Sequence, residues 1–143
     1  MSSKDTIDIL NRLVQLHHRS LPVYLSYAAP TWGRGEEQAK ETLKQIAEDA
    51  TRTVDRVSEM IMDEGGSVDL GAFPMRYTAL HDLSFDYLLE RLIEAQKQTI
   101  SAISQCVQQL SLVPMARAIA EESLGAARGH LESLEELKHP EHA

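Results

Sequence analysis

The sequence predicts an all-α bundle of four helices, with a long crossover between the second helix and the third. Three observations predict it. Apolar residues recur at three- and four-residue steps along four separate stretches, and strand-like alternation occurs nowhere. Leu, Ala, Glu and Gln are abundant while aromatics make up only 5% of the chain, a balance that suits helices. After the paired glycines Gly65 and Gly66, about fifteen residues containing Gly71 and Pro74 pass without a helical period, which is long for a simple helix hairpin. A connection of that length can travel the whole bundle, so that the second and third helices run parallel.

The first helix is predicted over about Asp5 to Ala29, with Ser2, Ser3 or Asp5 as its cap. Its stripe is Ile7, Leu10, Val14, His17, Leu21, Tyr24 and Ala28, widened by Ile9, Leu13 and Leu16. Pro22 lies inside it and predicts a kink or a lost hydrogen bond. Pro30, Gly33 and Gly35 then predict a short hairpin loop around Trp32. The second helix follows from about Glu36 to Glu64, striped by Leu43, Ile46, Ala50, Val54, Val57 and Ile61. Glycine takes the left-handed conformation that ends a helix at little steric cost, so Gly65 and Gly66 stop it. The third helix is predicted from about Tyr77 or His81 to Leu112, striped by Phe85, Leu89, Leu92, Gln96, Ile100, Ile103, Val107 and Leu110. Pro114 suits the first turn of the fourth helix, where its missing N–H has no partner in any case. That helix reaches about Leu137, striped by Ile119, Ser123, Ala127, His130, Leu134 and Leu137, and the tail KHPEHA is expected to fray.

At 143 residues the chain fits one domain, 1–143, with no internal repeat and no low-complexity segment. Its formal net charge of −8 and pI of about 5.2 repel polyanions, and the N-terminal MSSKDT offers only Lys4 as a basic arm. No nucleic-acid partner is therefore expected. No apolar run approaches the roughly 18 residues of a membrane span, and no charged-then-apolar leader opens the sequence. The single Cys106 cannot form an internal disulfide and lies beside the third stripe, which points to a packed thiol in a reducing cytoplasm. Met60, Met62 and Met75 are expected to pack under the crossover, since Met fills irregular gaps. There is no Gly-rich phosphate loop, nucleophile elbow, Cys-x-x-Cys or His-Glu-x-x-His. His17-His18-Arg19-Ser20 lacks the Lys-Gly pair that a phosphotransfer histidine would carry.

The stripes say most where polar residues break them. His17, Ala50 with Thr53, Gln96 and His130 all fall near the middle of their helices, and in register they would share one layer. Such a layer is where bundles build di-iron sites, from a Glu on each of two helices and a Glu-x-x-His on each of the others.

Three stretches carry a family resemblance. They are Leu10-Asn11-Arg12-Leu13 with His17 and Tyr24, Val54-Asp55-Arg56 with Glu59-Met60-Ile61 and Gly65, and Gly129-His130-Leu131-Glu132 with Leu134 and Glu135. In these the chain resembles the ferritin-like superfamily, especially bacterioferritins and the DNA-protection-during-starvation (Dps) proteins. The resemblance implies a ferritin-like four-helix bundle, iron as the metal handled, a homo-oligomer, and roles in iron storage or oxidative-stress protection. It also implies positions for the metal. His17, Ala50, Thr53, Leu92 or Gln96, and Ala127 stand where the family has ligands of other types, and only His130 matches. Two ferrous ions bring four positive charges, and burying even one uncompensated charge costs several kcal/mol, roughly, after relaxation. Neutral imidazoles offset none of it, so ferroxidase activity is not expected. His17 and His130 suit one zinc or copper ion, or they are hydrogen-bonded core histidines. In Dps proteins an Asp-x-x-x-Glu on the second helix serves an iron site at a subunit interface. Asp55 and Glu59 match that pair in type and spacing, whereas Thr31, Lys40 and Lys44 replace the partner ligands. An ordinary solvated face paired with Arg52 or Arg56 is the other reading of Asp55 and Glu59. A metal-handling protein of the ferritin-like kind and a non-catalytic assembly bundle are thus the two functions on offer.

Overall fold

A computed structural model describes residues 1–28, 36–80 and 84–138. Helix α1 spans Ser3–His18, and the Ser2 hydroxyl accepts the Asp5 N–H at 3.1 Å as its cap. The expected kink at Pro22 is a full break. A continuous helix would drive the Pro22 ring into the His18 carbonyl four residues back. The chain instead ends α1 at Arg19 and restarts as α2, Leu21–Ala28, with the Ser20 hydroxyl accepting the Val23 N–H. The break turns Leu21, Val23 and Leu25 all into the core. The loop expected around Trp32 lies outside the described residues, as do residues 139–143 of the tail.

Helix α3 spans Glu37–Asp63 and buries every member of its stripe, from Leu43 to Ile61. Gly65, at φ 83°, ends it. The Gly65 N–H donates to the Met62 carbonyl at 3.0 Å and the Gly66 N–H to the Ile61 carbonyl at 2.9 Å, so two of the helix's last carbonyls are satisfied. The crossover then runs along α1. Asn11, Gln15 and Arg19, four residues apart on one face, donate to the carbonyls of Ser67, Asp69 and Ala72. Asn11 also accepts the Asp69 N–H at 2.8 Å. The crossover makes its own 310 turn over Met75–Leu80, which buries Tyr77 and Leu80. This turn is why the next helix does not begin at Tyr77. Helix α4 spans Phe85–Gln109, capped by Ser84, and α5 spans Pro114–Glu136 with Pro114 in its first turn. Met60 packs against the core, but Met62 and Met75 are 58% and 83% exposed and do not pack under the crossover.

Two core clusters set the topology. One joins Leu10, Leu13 and Val14 of α1 to the C-terminal halves of α3 and α4 and the N-terminal half of α5. The other joins α2 to the N-terminal halves of α3 and α4 and to Leu134 of α5. The chain therefore runs up, down, down, up, as a crossover of this length permits. Between the clusters lies the mid-bundle layer.

Candidate functional site

Helices α1, α4 and α5 bring polar side chains to that layer at His17, Gln96 and His130, where their apolar stripes break. His17 of α1 is 6% exposed and Gln96 of α4 is 3% exposed. Gln96 Nε2 donates to the Ala127 carbonyl of α5 at 2.9 Å, which fixes the amide and ties α4 to α5. Ala50 and Ala127 fill the layer with methyl groups, and Thr53 is half-buried beside them.

The two histidines differ. His130 Nε2 donates to Asp49 Oδ2 at 2.8 Å, and its side chain is 13% exposed. Asp49 also pairs with Arg52 one turn along α3. His17 Nε2 is buried and has no hydrogen-bond partner among the described residues. Burial, and then the neighbouring His130, lower the His17 pKa from 6.5 to about 4. His17 is thus neutral near pH 7, with a second imidazole close enough to influence it.

The layer brings together two of the residues singled out from sequence, His17 and His130. It does not bring in the other two. Asp55 and Glu59 are exposed on α3, and neither pairs with Arg52 or Arg56. Those arginines pair instead with Asp49 and with Glu122 of α5. Asp55 sits on the rim of a largely apolar groove of about 480 Å3 along α3, with Tyr27 and Leu70 among its walls. Asp49 was the residue missed. Its only sequence signal is a place next to Ala50 on the stripe, and the α3–α5 register that makes it His130's partner is not local. Among the described residues, no three His, Cys, Asp or Glu side chains are grouped to hold a metal ion.

The comparisons with known proteins agree with the topology. A search of curated protein sequences gives no significant match. Among solved structures, Dps92 from Deinococcus radiodurans superposes with a TM-score of 0.74 at 17% identity, over 93% of this chain and 85% of that one. At that identity the likeness speaks for the fold. The family model of the ferritin-like domain matches residues 7–113, well over half of the chain. The chain therefore belongs to the ferritin-like domain family.

Proposed function

We propose that this protein is a ferritin-like assembly subunit that does not oxidise iron at a di-iron centre. One observation carries the proposal. The mid-bundle layer offers two imidazoles, an amide and a single carboxylate, Asp49, which already balances Arg52 and accepts from His130. Two ferrous ions need several carboxylates to offset their charge, and this donor set does not fit them. Self-association is supported by the groove between Tyr27 and Leu70, which are 63% and 43% exposed. A second copy placed there would meet Asp55 at the contact. A buried lone thiol suits a cytoplasmic setting. The test is oxidation of ferrous iron in air, followed optically. We expect no acceleration over buffer, and a fast phase proportional to protein would overturn the proposal. Light scattering settles the assembly. A dimer favours a scaffold, and a closed shell favours iron storage or oxidative-stress protection.

The unpartnered His17 nitrogen favours a second reading, in which the layer holds one zinc or copper ion. A neutral imidazole is the form that binds metal, and the lowered pKa keeps His17 in that form. His17 and His130 would hold the ion, with water completing its shell. Zinc should then raise the melting temperature of the wild type but not of His17→Ala. Equal shifts in the two proteins would rule the pair out as ligands.

A further inference from the structure

A cavity of about 660 Å3 opens where the α1–α2 break meets the 310 turn and the first half of α4. Arg19, Arg76 and Arg91 line it, against one carboxylate, Glu94. Three positive groups less one negative leave +2, in a chain whose formal net charge is −8. The arginines come from three different elements, so no helical repeat accounts for their meeting.

None of the three is ion-paired among the described residues, where Arg52, Arg56, Arg117 and His130 form the ion pairs. Each is held by neutral groups instead. The Arg19 stem lies on Gly71, where an added Cβ would sit 2.7 Å from Arg19 Cδ. Its guanidinium donates to the Ala72 carbonyl at 3.4 Å and to Gln15 Oε1 at 3.3 Å. Arg76 lies over the Tyr77 ring at 5.4 Å, and Arg91 over the Tyr87 ring at 6.0 Å. Burial raises the Tyr77 pKa, and Arg76 and Arg19 both pull against that rise, so the two guanidinium groups act on one ring. These contacts position the cations and neutralise none of them. Like charges around one space repel, and an anion between them relieves the repulsion.

The guanidinium fork matches phosphate oxygens in pairs. A phosphomonoester carries close to −2 at neutral pH, roughly the charge this cavity lacks. The volume lies within the usual range for small-molecule sites, and Leu21, Leu80 and Tyr77 supply an apolar wall. We propose that this cavity binds a small phosphomonoester, its phosphate between the three arginines and its apolar or aromatic body against Tyr77 and Leu80. The mid-bundle layer plays no part in it.

Titration calorimetry with phenyl phosphate tests this, with phenol and inorganic phosphate as probes at fixed ionic strength. Phenyl phosphate should bind once per chain and about tenfold more tightly than inorganic phosphate, and phenol should give no saturable heat. Arg76→Gln and Arg91→Gln change exposed side chains and should each weaken binding about tenfold. Glu94→Gln removes the one opposing charge and should tighten it, an effect a merely structural Glu94 would not produce. Circular dichroism checks that each variant folds, and if an arginine variant does not, the Glu94→Gln result decides. Any of four results overturns the proposal: no saturable heat with phenyl phosphate, unchanged affinity in both arginine variants, no tightening in Glu94→Gln, or inorganic phosphate binding as tightly as phenyl phosphate.

Discussion

Acid should weaken this fold through His17. His17 binds its proton near pH 6.5 when unfolded and only near pH 4 when folded. Between those values the unfolded chain holds up to one proton more than the folded chain at this position. Mass action then favours unfolding as pH falls, and stability rises with pH through this window and levels off above it. Moving the metal-free protein from neutral pH to about pH 4.5 should therefore cost on the order of 2 kcal/mol. That is a large share of the roughly 5–15 kcal/mol that holds a domain folded. Urea unfolding followed by circular dichroism at a series of pH values measures it. His17→Leu removes the titrating group and should flatten this part of the profile. At neutral pH the variant should be as stable as the wild type or more so, because it also removes a buried nitrogen without a partner. Parallel pH profiles for the two proteins would refute the reasoning.

Three further outcomes are expected. Gly71→Ala should cost about 1–3 kcal/mol in urea unfolding, since Gly71 sits at φ 70° and a new methyl would collide with the Arg19 stem. Asn11→Ala removes two hydrogen bonds to the crossover and should cost about 1–2 kcal/mol, with faster hydrogen exchange at the Asp69 amide as the local readout. Cys106 is fully buried, and burial raises its thiol pKa against a weaker pull from Arg12, so an aromatic disulfide reagent at about pH 8 should label it only after denaturation.

Whatever depended on periodicity or on local backbone chemistry was legible in the sequence. The α3 stripe is buried throughout, Gly65 and Gly66 end that helix, Pro114 opens α5, and the long crossover runs between parallel helices. The polar breaks at His17 and Gln96 also fall in the core. What was not legible depends on neighbours distant in the chain. The Asn11, Gln15 and Arg19 ladder is an ordinary polar helix face until the crossover lies on it. Asp49 becomes the partner of His130 only through the register of α3 against α5. The start of α4 at Phe85 follows from burying Tyr77 and Leu80 in a turn of their own, which an apolar pattern alone reads as more helix. Pro22 marked a disturbance in the first helix, but whether it bends or breaks depends on what Leu21, Val23 and Leu25 pack against.

The central claim is that two imidazoles and one engaged carboxylate cannot balance a pair of ferrous ions, and counting iron tests it most directly. The protein is loaded with excess ferrous iron without air, freed of unbound metal by gel filtration, and analysed for its elements. We expect fewer than about one iron per chain. About two tightly held irons per chain, the stoichiometry of a filled di-iron centre, would contradict the claim.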